Sequence, residues 1–590
     1  MVTIKNSVMR AWWKEASVYQ VYPASFKDSN NDGLGDIPGI ISKLDYIKSL
    51  GIDIIWICPI FASPQVDVGY DISDYREIYP PYGSLSDVDR LIKGCHDRGM
   101  KLLLDLVVNH TSDQHVWFQE SKKDKSNAYR DFYFWRPPKY DADGNRQPPN
   151  NWAAMWGGSA WQYDETTDEY YLHLFAPEQP DLNWENPKVR EEVHDIIRFW
   201  LNRGVDGFRM DVINFISKTP GLPDAEITRP DALWQCGSEH FAFGPRLHEY
   251  LKAIGGILKE YNAFSVGEMP YVKDTEKIIE VVGFDRNELN MIFHFEICDM
   301  DIGDCGKFSP RQWSMSTLKQ IVNRWETSMI AKNGWNALYL ENHDQGRSVS
   351  RWGSDAPEHR VACAKMFATF LALQCGTVFV YQGQEIGMIN ISKDRDMSEF
   401  RDLETLNAWN ELSFFRFPSR GYGRMMKDHA ENKDLLQITR NEIQKKSRDN
   451  ARTPMQWDAT AHAGFSSAPP WQRENDSYVS INVAAQVGIK GSVFEYWAST
   501  LRIRKTYKDL FVYGDFALVD EDNEDIFAYM RTYGDQKALI VTNFRSEKIM
   551  WKVPGNLVLQ REKMLINNYD VSLSSDTLTL RPFEAFACLV

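Results

Sequence analysis

Short apolar runs recur along the chain and alternate with stretches of helical periodicity. Runs at 18–21, 52–58, 102–108, 205–211, 264–268, 290–295, 337–341 and 377–381 are rich in branched and aromatic residues. They are apolar on both faces, the pattern of buried parallel strands rather than of half-exposed ones. Between them lie amphipathic stretches at 40–50, 91–98, 190–203 and 360–373. Eight strands alternating with helices predict an α/β fold, a (β/α)8 barrel.

Two stretches interrupt the alternation. Residues 111–182 follow the third strand, are rich in Trp, Tyr, Pro, Asn and Asp, and are too long for a loop, so they read as an inserted subdomain. Residues 388–446 follow the eighth strand and are strongly charged, with weak helical patterning. The barrel therefore spans 1–110 and 183–511. From about 512 the runs at 526–533, 537–543, 548–553 and 577–580 are separated by turn residues, as in an antiparallel β domain covering 512–590.

Composition narrows the function. The 590 residues carry a net charge of −15, which makes nucleic acid and anionic membranes poor partners. No apolar run approaches the roughly 20 residues of a membrane span, and the first residues carry no secretory pattern. The eight cysteines, at 58, 95, 236, 298, 305, 363, 375 and 588, form no Cys-x-x-Cys pair, so reduced thiols and a cytosolic location are expected. The sequons at Asn109 and Asn475 are then expected to stay unmodified.

The densest polar motif is Asp206-Gly207-Phe208-Arg209-Met210-Asp211 at the end of the fourth run. Strand alternation points Arg209 and Asp211 the same way, and a cation beside a carboxylate favours its ionised, nucleophilic form. A structural ion pair accounts for this fragment equally well. Glu268 ends the fifth run among apolar neighbours that would raise its pKa, as a proton donor needs. Asp344 lies just past the seventh run, in Glu341-Asn342-His343-Asp344-Gln345, and His110 ends the third. Four polar clusters at the C-terminal ends of four strands of one barrel converge. Two carboxyl groups flanking one bond are the equipment for glycoside hydrolysis, and a retaining mechanism places them roughly 5–5.5 Å apart.

These residues resemble a known group. Asp105–His110, Gly207–Asp211, Gly267-Glu268 and Asn342-His343-Asp344 resemble the four sequence regions of the α-amylase family, glycoside hydrolase family 13. The stretch 179–183 resembles a fifth region in the form of its oligo-1,6-glucosidase branch. The stretches 11–16, 22–26 and 451–457 resemble fungal and bacterial α-glucosidases. The resemblance implies Asp211 as nucleophile, Glu268 as general acid/base and Asp344 as transition-state stabiliser. It implies Asp71 and Arg448 as the clamp on the non-reducing glucose, His110, Arg209 and His343 around the same ring, and Tyr70 as stacking platform. Val212 follows the nucleophile; in the family, valine there accompanies preference for α-1,6 bonds and threonine for α-1,4 bonds. The expected activity is a retaining, exo-acting α-glucosidase releasing glucose from the non-reducing end of short α-glucosides, with α-1,6 bonds preferred and maltose and sucrose as side substrates; an α-1,4-preferring maltase or a transglucosylase are the alternatives. A trehalose-phosphate hydrolase and a non-catalytic binding subunit lie further off. A monomer acting on small oligosaccharides is expected.

Two departures stand out. The family commonly has proline after the Asn-His-Asp-Gln run; Gly346 stands there and is expected to loosen the loop carrying Asp344. The arginine-rich motif of sucrose isomerases is absent from 295–301. A second candidate site is Asp28-Ser29-Asn30-Asn31-Asp32-Gly33-Leu34-Gly35-Asp36, where oxygen donors alternate around a glycine turn as a hard cation prefers, though without the Glu an EF-hand needs. The resemblance implies one structural Ca2+ held by Asp28, Asn30, Asp32, Asp36 and the Leu34 carbonyl, and no organic cofactor. The glycines there also match a dinucleotide loop loosely, but the acidic side chains would repel a pyrophosphate.

Overall fold

The computed structural model describes residues 8–230, 232–303, 306–414, 433–555, 557–570 and 577–590. Eight parallel strands form the core: β1 (Ser17–Val21), β2 (Ile54–Ile57), β3 (Lys101–Leu106), β4 (Gly207–Met210), β5 (Phe264–Glu268), β6 (Met291–Phe293), β7 (Ala337–Leu338) and β8 (Thr377–Tyr381). Their order is 6-5-4-3-2-1-8-7, and a single parallel bridge, Ile292 to Asn336, closes the remaining gap into a barrel. All eight predicted runs are strands. Several stop short at their C-terminal ends, where the chain leaves the ladder to build the site.

The helices follow from local chemistry. Pro187–Arg203 is opened by Asn186, whose side chain accepts the Lys188 N–H, with Pro at the first position and Gly204 left-handed (φ 107°) after the last. Val189, Val193, Ile196, Ile197, Trp200 and Leu201 form its buried stripe. The predicted helix 40–50 is two, Ile37–Ile41 and Leu44–Ser49. Arg360–Ala372 departs from expectation, being buried all round from Ala362 to Ala372 rather than amphipathic. One side packs on the barrel and the other is covered by the C-terminal domain and by Val493–Thr506.

The segment after β3 carries a helix (Val116–Ser121) and a three-stranded sheet of Trp135–Arg136, Glu169–Leu172 and Trp161–Asp164. Its core is shared. Phe134, Trp152, Trp161 and Leu172 pack with Val212, Phe215 and Phe241, which follow β4. After β8, helices Leu403–Phe414 and Lys433–Lys446 flank residues outside the described set.

The C-terminal domain is a five-stranded antiparallel sheet in the order Asp515–Val519, Ile526–Tyr533, Gln536–Asn543, Ala585–Leu589, Met564–Asn567, beside a pair Ile549–Lys552 and Thr577–Leu580. The first, fourth and fifth of these strands were not among the predicted runs. Seven cysteines are free thiols; Cys305 lies outside the described residues. No helix among the described residues is long and apolar enough to cross a membrane.

One buried ion pair joins this domain to the barrel. Arg531 Nη1 donates to Glu326 Oε2 at 2.9 Å, with both side chains at most 1% exposed. Arg531 Nη2 also donates to the carbonyls of Phe511 and Gly514, and Glu326 accepts the Cys375 N–H. Removing one partner strands the other charge in low dielectric. Glu326→Ala should therefore cost about 3–5 kcal/mol, whereas the paired change Glu326→Leu with Arg531→Met should cost far less. Urea unfolding midpoints of the two variants check this.

Candidate active site

Arg209 lies at the centre of the barrel's C-terminal end with no solvent exposure. The strand that carries it sits unusually close to β5: a Cβ at Gly207 would stand 2.0 Å from the Phe264 carbonyl oxygen, so only glycine fits there. Arg209 Nη1 donates to Asp105 Oδ1 at 2.6 Å and to Asp211 Oδ1 at 3.0 Å, and its Nη2 pairs with Glu268. Asp105 also accepts from Trp56 Nε1 and the Tyr70 hydroxyl, each at 3.1 Å. One cation therefore serves three buried carboxylates from β3, β4 and β5.

That imbalance sets the protonation. Burial pushes Asp211 up to about 7 and Glu268 up to about 7, with Arg209 pulling the other way and the neighbouring acids adding to the rise. Asp105 is likewise pushed up to about 6 by burial.

Asp344 sits in the opposite environment. Burial would raise it, but His343, Arg448 and Arg452 hold it well below the usual carboxylate range. Arg452 Nη2 donates to Asp344 Oδ1 at 2.9 Å and Arg448 Nη1 lies 3.4 Å from the same oxygen. His343 is itself pushed down to about 3 by burial, so it is neutral and the charge comes from the two guanidiniums. Gln20 Nε2 lies 2.8 Å from His343 Nδ1; an amide donor there leaves the ring proton on Nε2, 3.4 Å from Asp344 Oδ2. Tyr70 stacks on His343 at 5.1 Å and 2°.

Arg448 reaches three acids. Its Nε donates to Asp402 at 2.6 Å, its Nη1 to Asp344, and its Nη2 to Asp67 at 3.1 Å, and Trp156 covers the guanidinium at 4.3 Å. Asp67, not the predicted Asp71, is thus its partner. Asp71 has no exposure and is turned into its own loop, where it accepts the Val66 and Asp67 N–H groups and the Ser63 hydroxyl.

A cavity of about 560 Å³ gathers Tyr70, His110, Asp211, Val212, Glu268, His343, Asp344 and Arg448 from the predicted set. Asp71 and Arg209 do not line it; Arg209 lies beneath its floor. His110 is neutral, pushed down to about 4 by burial, with Nε2 at 3.1 Å from the Tyr70 carbonyl. Val212 is left-handed at φ 33°, a strained conformation for a branched residue, directly after Asp211. Sequence reasoning missed Asp67, Arg452, Asp402, Gln179, Trp156 and Tyr271, and assigned Asp105 no role of its own. Asp67 and Asp71 lie four apart in one loop, and no local pattern says which faces the cavity.

Gly346 has a packing role that the sequence did not suggest. A Cβ there would stand 2.5 Å from the Lys445 carbonyl oxygen, so glycine admits the end of Lys433–Lys446 against the Asp344 loop. Asn390 ties the two, donating to that carbonyl at 2.9 Å and accepting the Arg347 N–H at 2.8 Å.

In the 28–36 loop, Asp28 accepts from the N–H groups of Asn30, Asn31 and Gly33 and from the Ser466 hydroxyl. Its four lone-pair positions are filled. Asp36 accepts three such bonds, Asp32 two and Asn30 one, so these three keep acceptor capacity. The donor set is chemically that of a hard-cation site. No group of three or more His, Cys, Asp or Glu able to hold a metal ion is found among the described residues.

The catalytic-domain model of alpha-amylase matches residues 20–514, and the model of the alpha-amylase SusG C-terminal domain matches 526–586. An alpha-glucosidase of Schizosaccharomyces pombe is 48% identical over 97% of both chains. An oligo-1,6-glucosidase of Parageobacillus thermoglucosidasius is 47% identical over 98% of both. The crystal structure of Bacillus licheniformis trehalose-6-phosphate hydrolase aligns with TM-score 0.87 at 38% identity, over 98% of this chain and 100% of that one.

The two neighbouring acids separate experimentally. Asp67→Ala removes a carboxylate facing the cavity and should raise KM for a disaccharide about tenfold or more. Asp71→Asn should leave KM near wild type and lower stability by about 1–3 kcal/mol, the cost of unpaired loop donors. Steady-state kinetics and thermal melts on both variants decide.

Proposed function

The chain belongs to the alpha-amylase family, and within it we propose a retaining, exo-acting α-glucosidase that releases glucose from the non-reducing end of short α-glucosides, with α-1,6 bonds preferred. The observation that carries this reading is the placement of Asp211 and Glu268 on two nitrogens of one guanidinium. Two carboxyls so held are close neighbours, as a retaining pair is and as the wider inverting pair is not. The relatives at 47–48% identity, an alpha-glucosidase and an oligo-1,6-glucosidase, support the substrate class.

In this reading Asp211 attacks the anomeric carbon while Glu268 gives its proton to the departing oxygen. The glucosyl ester on Asp211 is then opened by water, which loses its proton to Glu268. Asp344, kept ionised by two arginines, faces the positive charge that develops on the sugar. The Asp67–Arg448 pair closes one end of the cavity, which favours removal of single glucose units over internal cleavage. Val212 offers methyl groups, not a hydroxyl, beside Asp211; this supports the α-1,6 preference.

A second reading has one observation in its favour. Arg229, Lys273, Lys307 and Arg311 line the same cavity, and a phosphorylated disaccharide would meet them. Lys307 is already paired with Glu404 at 2.7 Å. Trehalose phosphate belongs in the substrate panel for this reason.

We further read the 28–36 loop as a structural divalent-cation site held by Asn30, Asp32, Asp36 and the Leu34 carbonyl, with Asp28 joining only by yielding a loop bond. Such an ion would offset the charge of the acidic loop. The protein is read as a cytosolic monomer, on its free thiols and acidic charge.

Three outcomes are expected. First, kcat/KM for isomaltose exceeds that for maltose by about tenfold or more, the scale on which one pocket group discriminates; a maltose preference would overturn the Val212 argument and leave the mechanism standing. Second, kcat/KM against pH is a bell. It falls on the acid side as Asp211 takes up a proton, and on the alkaline side as Glu268, pushed up to about 7 by burial, loses one. An alkaline limb starting near pH 5 would show that burial does not raise the proton donor. Third, Ca2+ raises and chelator lowers the melting temperature of wild type, and Asp32→Ala abolishes the difference.

A further inference from the structure

Tyr271 stands in a backbone conformation that its side chain disfavours. It lies three residues past Glu268, with φ at 66°, where glycine would sit without strain. The residue is 50% exposed, whereas Tyr70 in the same cavity is 5% exposed. The ring is nonetheless fixed. It lies nearly parallel to Phe215 (6.2 Å, 23°) and edge-on to Phe241 (6.1 Å, 82°), both buried. Its hydroxyl lies 3.3 Å from the Met155 sulfur. Met155 belongs to the inserted subdomain, Phe215 to the loop after β4 and Tyr271 to the loop after β5, so three segments converge to hold one half-exposed aromatic face against the cavity.

Strain held in place by three elements at the edge of a ligand cavity marks a ligand contact. The C–H face of a pyranose packs well on such a ring, and Glu268, at the end of the strand that leads into this loop, would face the bond to be cut. Resting on the α-glucosidase reading above, we propose that Tyr271 is the stacking platform for the sugar on the departing side of the scissile bond, and for the acceptor sugar that can take its place. In that second event an acceptor hydroxyl oxygen bonds to the anomeric carbon as the ester bond to Asp211 breaks. The acceptor's proton passes to the Glu268 carboxylate, and Asp211 leaves as the free carboxylate. The platform thus governs the share of glucosyl groups passed to sugar rather than to water.

The test compares wild type with Tyr271→Phe, Tyr271→Ala and Tyr271→Gly on isomaltose and on α-glucosyl fluoride, which has no departing sugar. Tyr271→Ala and Tyr271→Gly should raise KM for isomaltose about three- to tenfold and lower the transfer-product fraction at high glucose to a similar degree. KM for the fluoride should stay within about twofold, and Tyr271→Phe should retain wild-type values. Tyr271→Gly should melt no lower than Tyr271→Ala, because it relieves the backbone. Unchanged isomaltose KM and transfer fraction in Tyr271→Ala, or an equal loss on the fluoride, would overturn the platform. A wild-type protein that hydrolyses neither substrate would overturn the α-glucosidase reading and this proposal with it.

Discussion

A single guanidinium bears the electrostatic weight of the site. Arg209 meets Asp105, Asp211 and Glu268, and among the described residues no other cation pairs with that trio. Around Asp344 the balance reverses, with Arg448 and Arg452 both bonded to one carboxylate. The same residue type is thus driven in opposite directions a few ångströms apart. A cation-poor cluster keeps a proton available near neutrality; a cation-rich one keeps a negative charge at any ordinary pH. What separates Asp344 from the Asp211–Glu268 pair is where the arginines are, not the acids themselves.

The inserted segment is more than a cover. Its aromatic core is completed by Val212, Phe215 and Phe241, residues of the loop that begins immediately after Asp211. The wall of the cavity and the backbone behind that carboxylate therefore share one packed interior. A change deep in the insertion, at Trp152 or Trp161, would reach Asp211 through side-chain packing without touching any ligand.

The barrel was legible because buried parallel strands leave an unmistakable record, short runs apolar on both faces, and all eight were found. The meeting of Asp211, Glu268 and Asp344 in one cavity was legible as well, since motifs at strand ends inherit their position from the strands. What stayed hidden depends on tertiary closure. Nothing local distinguishes Asp67 from Asp71; the difference is which one meets an arginine nearly four hundred residues later. The periodicity of 360–373 read as one-sided, and the C-terminal sheet together with Val493–Thr506, laid over its other faces, explains why it is buried throughout. Gly346, expected to loosen its loop, also gives clearance to a distant carbonyl, which no local pattern announces. The edge strands Asp515–Val519 and Met564–Asn567 are only partly buried, and their short apolar runs carry no alternation that marks one face.

The barrel's seam has a consequence for how the protein comes into being. β1 to β6 pair in chain order, but β6 and β7 are joined by one bridge only, and the firm closure is β1 to β8, across some 360 residues. A chain emerging from the ribosome as far as residue 295 has made β4 and β5, with Arg209, Asp211 and Glu268, yet lacks Asp344, Arg448 and the strand that shuts the ring. Such a half-barrel exposes the long flank of β1 to anything it meets. The second half of synthesis, which supplies both the missing edge and the missing charges, is therefore the interval in which this molecule most needs protection from its neighbours.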